Sequence, residues 1–401
     1  MLLTDKYILE SEKPLAKIND HIVLKMAELS DVDQIIRIYQ MIYGKTYPIS
    51  YGNDPEMLAE AVQSKDTHCI IIAKDLNKNL AIGALVLEKD LFNKIGSLVG
   101  LVVLPDYRNL KIAHRLVETQ THLHLVVQNE LNSLYATTRT VNVGPQVVFH
   151  KNNFLPLGLL PNAHRLSRYE TVTLFAKYRK GILENRKSIS GISPKIIPLY
   201  QIVKNLVPQL DIPNANFLDL DDATVEEDWD YEVIQGEHYV KRKFLETYPD
   251  PSDRFYPFHE PNILVADKKG RVEIFAYFSK RDGYCTIIKS SIPLFLLHGH
   301  LTSLYLQLHD IGVTYLEALI NVKAKRSIEA LLKGNFLPSA IYPAMRETQN
   351  NFEDYIVMSR TMEPLNFKGM AIISQFKPYI DQYVDLWKKV NLDSLEIVNE
   401  E

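Results

Sequence analysis

The chain has 401 residues, more than one typical core organises, with 46% hydrophobic and 23% charged side chains; this excludes a wholly disordered chain and predicts two domains. A formal net charge of −4 and a pI near 6.3 supply none of the basic excess that nucleic-acid binding uses, so no nucleic-acid partner is expected. Cys69 and Cys285 stand far apart and form no CxxC, which predicts neither a structural metal site nor a disulfide framework and fits a reducing cytosol.

The first twenty residues contain no long apolar segment of the kind a signal peptide carries. Apolar runs such as Ile292–Leu297 fall far short of the roughly 20 residues a membrane span needs. The expectation is a cytoplasmic protein with no membrane partner. Ile22–Met26 reads as a short strand. From Asp31 to Tyr43, Val32, Ile35, Ile36, Ile38 and Tyr39 recur at helical spacing. A loop rich in Gly, Tyr, Pro and Ser follows, and Pro55 then opens a second helix capped by Asp54. His68–Ala73, Ala81–Glu88 and Ile95–Leu104 read as strands. Residues 112–128 predict one amphipathic helix with Ile112, Leu116, Leu123, Val126 and Val127 on its apolar side. Leu134–Thr138 is a strand, Val147–Lys151 a short helix, and Tyr169–Tyr178 a closing strand. Residues 179–214 read as a connector containing a helix at Leu199–Val207. The acidic stretch Asp219–Asp230 reads as a solvated loop.

The second half repeats the first. Lys151–Pro156 and Lys333–Pro338 share the string K-x-N-F-L-P, and a further proline stands five residues on, at Pro161 and Pro343. Each string follows a strand and a short helix and precedes a closing strand, which points to duplication. The boundaries predicted are a domain over 1–178, the connector, a second domain over 215–367, and a helical tail over 368–401. Tyr379, Tyr383 and Trp387 form one side of that tail helix, which predicts docking on a domain. His298, His300 and His309 fall in one predicted helix of the second half with no carboxylate pair nearby, so no metal site is expected.

The chemically informative stretch runs from Leu101 to Leu116: an apolar strand, a turn with Pro105, and the start of a helix. The first amides of a helix have no internal acceptor and lie at the positive end of the macrodipole, an arrangement suited to a phosphate or diphosphate. Arg108 at the entrance adds charge. This segment resembles the GNAT acyltransferase superfamily, whose pattern V-x-P-x-x-R/Q-x-x-G-x-G/A appears here as Val103, Pro105, Arg108 and Ala113. The resemblance spans residues 20–178 and includes Phe154 at the family's final "GF" signature. It implies a mixed α/β fold with a mostly antiparallel sheet flanked by helices, here as two tandem GNAT-like domains. It also implies that Arg108, Asn109, Leu110, Lys111, Ile112 and Ala113 hold the diphosphate of coenzyme A, and that Leu101, Val102 and Val103 pair with its pantetheine arm. Asn142 lies near the family's position for a residue touching the cofactor or substrate.

The sequence departs from the pattern at several points. Lys111 replaces the usual glycine, and Asn153 replaces the glycine before Phe154. The central strand has no acid, and the family's tyrosine position is Phe149. Glu88 and His150 are the remaining acid–base candidates, with Tyr47 and Tyr51 in the loop that borders the acceptor site in this fold. The corresponding stretch of the second half, Lys289–Leu294, has neither arginine nor glycine, which implies a copy without a coenzyme site. The function implied is transfer of an acetyl group from acetyl-CoA to an amine-bearing acceptor. A non-catalytic acyl-CoA sensor and a Fem-like aminoacyl transferase are the alternatives, the latter requiring a basic groove.

Overall fold

The computed structural model describes residues 14–44, 50–166, 168–208, 210–216, 229–349 and 351–392. The chain divides into two compact units. The first comprises the described residues up to Ala136, with Val147–Phe154 and Lys177–Arg179. The second comprises Thr137–Gln146, Leu155–Ala176 and the described residues from Lys180 onward. Residues 137–146 and 155–176 thus group with the C-terminal half.

The first unit begins with strands β1 (Ala16–Lys17) and β2 (Ile22–Met26), then helices α1 (Val32–Tyr43), α2 (Ser50–Asn53) and α3 (Pro55–Gln63). Asp54 caps α3 by accepting from the amides of Glu56 and Met57, both at 3.0 Å. Strands β3 (His68–Asp75), β4 (Leu80–Asp90) and β5 (Ile95–Val103) then form an antiparallel meander on β2. Helix α4 (Ile112–His122) leads to β6 (Ser133–Arg139), which pairs parallel to β5.

Successive strand residues face opposite sides of a sheet. His68 and Glu88 are cross-strand partners on the side where α2 places Tyr51. Cys69 and Leu87 face the other side, where Gln120 of α4 donates to the Cys69 carbonyl at 2.9 Å. The sheet is therefore covered on both faces, which explains the wholly buried run Ala81–Leu87.

The predicted helix over 112–128 does not continue as one. It changes to a π-helical turn at Leu123–Val127, and Val126 and Val127 are 63% and 51% exposed. The extra residue per turn rotates the last apolar positions off the buried side.

The chain continues through α5 (Gly144–Lys151), β7 (Leu155–Arg165), β8 (Tyr169–Tyr178) and α6 (Ile197–Leu206). Strand β7 was not legible in the sequence, because two register shifts, at Pro156/Gly158 and Leu160/His164, break its alternation. Next come β9 (Tyr231–Gln235), α7 (Glu237–Thr247), β10 (Ile263–Asp267), β11 (Glu273–Ser279) and β12 (Tyr284–Ser290). Then follow α8 (Leu301–Asp310), β13 (Tyr315–Asn321), α9 (Lys325–Lys333), β14 (Leu337–Thr348), β15 (Asn351–Thr361) and α10 (Lys377–Asn391).

In the second unit the strand order is β8-β7-β14-β15-β13-β12-β11-β10-β9. Strands β7 and β14 meet at Gly158, where any Cβ would lie 2.4 Å from the Ala340 Cα, so only glycine fits. The tail helix α10 packs Tyr383 and Leu386 on Leu337, and Tyr379 donates to the Pro156 carbonyl at 2.7 Å. His298 and His300 lie in a 3-10 turn, Leu294–His300, and only His309 lies in α8, so the three do not share one helix. Most of the acidic stretch 219–230 lies outside the described residues.

Candidate functional site

The site grows from the end of β5. Its pairing with β4 shifts register between Ala84 and Val86, so Gly100 and Leu101 together oppose Leu85. Gly100 adopts a φ of +66°, and its carbonyl accepts a 2.6 Å hydrogen bond from the buried Tyr39 hydroxyl. A Cβ at Gly100 would meet that hydroxyl oxygen at 2.3 Å, which is why glycine stands there. On the other edge, the parallel ladder with β6 runs only from Ile95↔Ser133 to Ser97↔Tyr135. Leu101, Val102 and Val103 lie beyond its end, with Val102 buried and its neighbours half-buried.

After β5 the chain makes a 3-10 turn at Pro105–Tyr107. The Tyr107 hydroxyl donates to Asp75 at 2.8 Å and accepts from Lys78 at 2.9 Å, which pins the turn to the β3–β4 connection. The bond from Tyr107 holds the Asp75 carboxyl below its ordinary range. Asn109 and Lys111 then adopt left-handed φ values of 70° and 60°. Lys111 thus follows the backbone path a glycine would take, at a conformational cost. A Lys111→Gly protein is expected to be more stable by about 1 kcal/mol, the left-handed penalty less the unfolded-state freedom glycine gains. Urea denaturation checks this, and a loss of stability would mean the lysine side chain contributes more than its backbone costs.

Ile112 starts α4 by packing on Gly83 of β4, where an added Cβ would lie 3.2 Å from an Ile112 methyl. The first amide of the helix to find an acceptor is that of Arg115, bonded to the Lys111 carbonyl at 3.0 Å. Among the described residues the amides of Asn109, Leu110, Lys111, Ile112, Ala113 and His114 have none, and the Arg108 and Lys111 side chains have no ionic partner. Arg108, Asn109, Leu110 and Lys111 are all exposed, so among the described residues no side chain plugs the helix mouth. Asn152 braces the helix, its amide nitrogen lying 2.9 Å from His114 Nδ1 and donating to the Val148 carbonyl at 2.9 Å.

Glu88 lies opposite Ser97, the last β5 residue paired with β6. Its Oε1 accepts a 2.7 Å bond from Tyr51, whose hydroxyl also lies 2.9 Å from His68 Nε2. His68 Nδ1 is in turn 2.9 Å from Thr67 Oγ1, which donates to the Ser64 carbonyl at 3.2 Å. Burial pushes the Glu88 carboxyl above its usual range, against the opposing effect of the Tyr51 bond. Burial likewise pushes the Tyr51 phenol up, reinforced by Glu88, and pulls the His68 imidazole down.

The other candidates are placed as follows. Asn142 is exposed in the second unit, and its side chain accepts from the Gly144 amide at 3.0 Å, closing a turn at the start of α5. His150 is half-buried on α5, next to Phe149, which packs edge-on against Phe154 at 5.1 Å. Tyr47 lies outside the described residues. Sequence reasoning missed Tyr39, His68, Tyr107 and Asn152. Only Tyr39 carried a signal, as part of the apolar face of α1. Among the described residues no group of three or more metal-ligating side chains converges, and no helix is long and apolar enough to cross a membrane.

A bulged strand that outruns its parallel neighbour, followed by a tight turn and a helix with unsatisfied leading amides, defines an α/β domain built on a strand–loop–helix unit. Residues 32–152 match the Acetyltransferase (GNAT) family model, and this segment of the chain is a GNAT acetyltransferase domain. No curated protein matches the chain by sequence. Similar solved structures include the ribosomal-protein-S5-alanine acetyltransferase from Vibrio fischeri, at 15% identity over 41% of this chain and 96% of that one, TM-score 0.36. Another is the spermidine N-acetyltransferase from Vibrio cholerae in complex with CoA and spermine, at 16% identity over 40% and 97%, TM-score 0.35. A third is the microcin C7 self-immunity acetyltransferase in complex with acetyl-CoA and AMP, at 14% identity over 42% and 98%, TM-score 0.35.

Proposed function

We propose that the protein is an acyl-CoA-dependent N-acyltransferase that moves an acetyl group from acetyl-CoA to a primary amine within one ternary complex. The observation that carries this reading is the run of unsatisfied amides between Leu110 and His114, flanked by Arg108 and Lys111, directly after a strand with a free edge. Five amides and two cations suit a diphosphate, and an open strand edge suits the amide-bearing pantetheine arm. Leu101–Val103 would pair with that arm and Arg108–Ala113 would hold the diphosphate.

In this reading Glu88 is the general base. Its carboxylate takes a proton from the amine as nitrogen attacks the thioester carbonyl, and the tetrahedral oxyanion is held by an amide of the bulged strand near Val102 or Val103. The thiolate leaves as coenzyme A. Raising the carboxyl's proton affinity by burial brings it nearer that of the attacking amine, which favours the transfer. Two buried free thiols, Cys69 and Cys285, accord with a cytoplasmic location for this enzyme.

We also read the second half as a degenerate GNAT copy. In support, Asn153 and Asn335 both take a φ of 61°, and β7 and β14 each shift register twice at matching prolines. In both halves the parallel pair is followed through a helix and a hairpin, and β11–β12 carries a bulge like that of β4–β5. Strand β12 leads into the 3-10 turn at Leu294–His300, whose own residues include no arginine.

Calorimetric titration with acetyl-CoA tests the reading. Wild-type protein should bind, and Arg108→Ala should bind about 10- to 100-fold more weakly through loss of one charge-assisted contact. Failure of the wild-type protein to bind overturns the proposal. Binding without release of free thiol across a panel of amines would make the protein a sensor.

A further inference from the structure

We propose that Tyr51 and His68 carry the proton taken up by Glu88 away from the site, making the three side chains one relay that ends at the surface beside Thr67. The inference rests on the assignment of Glu88 as base and adds the route by which that base is regenerated.

The geometry is a continuous chain: Glu88 Oε1 to Tyr51 at 2.7 Å, Tyr51 to His68 Nε2 at 2.9 Å, and His68 Nδ1 to Thr67 Oγ1 at 2.9 Å. The chain starts at a carboxyl beside the end of the parallel ladder and finishes at an exposed threonine. Its inner members come from three elements, α2, β3 and β4, and Tyr51 is buried. Other titratable groups bear on it: Tyr39 of α1 on Tyr51, and Glu60 of α3 and Lys89 of β4 on His68.

The proton inventory closes at each step. Before turnover, neutral His68 carries its proton on Nδ1, which donates to Thr67 Oγ1, and Thr67 donates to Ser64, as its 3.2 Å bond requires. At rest Tyr51 donates to the Glu88 carboxylate, and as the amine's proton arrives there the Tyr51 O–H turns to His68 Nε2. When the Glu88 carboxylate takes the amine's proton at Oε1, that proton passes to the Tyr51 oxygen as Tyr51's own passes to Nε2. The O–H bond at Glu88 breaks, one forms at Tyr51, and the Tyr51 O–H is replaced by an N–H on His68. Glu88 is again a carboxylate, now hydrogen-bonded by Tyr51, and His68 is an imidazolium. Its Nδ1 proton leaves to water at Thr67, and a tautomer change of neutral His68 restores the start. No oxidant or metal enters.

The test uses the full-length protein with acetyl-CoA and the best amine of the panel. Tyr51→Phe and His68→Phe should each lower kcat about 100-fold with KM for acetyl-CoA unchanged, the low end of what acid–base catalysis supplies. The dependence of kcat on deuterium content should be curved in wild type, where two protons move, and linear in Tyr51→Phe. If Glu88→Gln is inactive while Tyr51→Phe keeps wild-type kcat and curvature, the relay is overturned and the base assignment stands. If wild type acylates no amine, the functional reading fails, and the relay is judged by infrared titration of the protonated Glu88 carboxyl, assigned by its loss in Glu88→Gln. A shift of that titration in His68→Phe supports the proton-sharing chain, and an unmoved titration overturns it.

Discussion

A Glu88→Gln protein should bind acetyl-CoA as wild type does while its kcat falls by about 10²- to 10⁴-fold, the range a positioned general base supplies. Glutamine keeps the shape of the side chain, and its oxygen can still accept the 2.7 Å bond from Tyr51, but it takes up no proton at working pH. The pH dependence carries a sign. Burial raises the Glu88 carboxyl above its usual range, so the active carboxylate is depleted as pH falls through that raised value. The acidic limb of kcat/KM should therefore lie above the ordinary carboxylate range and vanish in Glu88→Gln. Stability runs the other way. A folded-state pKa above the unfolded one contributes stability below the unfolded pKa, and that contribution is lost as pH rises through the folded value. Glu88→Gln should thus equal or exceed wild type in stability at neutral pH, with the difference shrinking toward acid. Urea midpoints at two pH values measure this, and a variant less stable than wild type at both would show the carboxylate to be structurally required.

The second large effect lies away from the site. Asp354 of β15 is fully buried and accepts from Arg186 at 2.8 and 2.7 Å, from the Tyr200 hydroxyl at 2.8 Å and from the Ala344 amide at 2.9 Å. Ala344 takes a φ of 50° in the bulge of β14, so Asp354 holds a strained strand segment as well as a cation. Asp354→Ala leaves the Arg186 guanidinium, only 8% exposed, without its paired carboxylate, and should cost about 3–5 kcal/mol. Replacing both members, Arg186→Met with Asp354→Leu, should cost less than Asp354→Ala alone, because no unpaired charge is then buried. Equal losses in the single and double variants would show that the Ala344 and Tyr200 contacts, and not the ion pair, dominate.

The elements of the first unit were legible where one periodicity ran unbroken. Strand β2, helix α1 and the Asp54 cap each follow from spacing and local chemistry, as does strand β8 further along the chain. The break of α4 into a π-turn and the strand β7 were not, because an extra residue in a turn or a bulge shifts the pattern without changing composition. The loop between β5 and α4 was legible as Pro105, Arg108 and Ala113, since it is contiguous and its shape belongs mostly to the backbone. Glu88 could be named as an acid, but nothing in its neighbourhood along the chain pointed to its partners.

Sequence alone determined the strand–loop–helix with its charged entrance and the amphipathic tail, both of which are set by residues within a few turns of one another. Tertiary structure alone decided that Tyr51 meets Glu88 across 37 positions, that Tyr39 clamps Gly100 across 61, and that Lys111 takes the left-handed turn of an absent glycine. The physical reason is that a backbone pattern repeats with the chain's own geometry, whereas a buried hydroxyl or carboxyl finds its partner wherever packing brings one within hydrogen-bond reach.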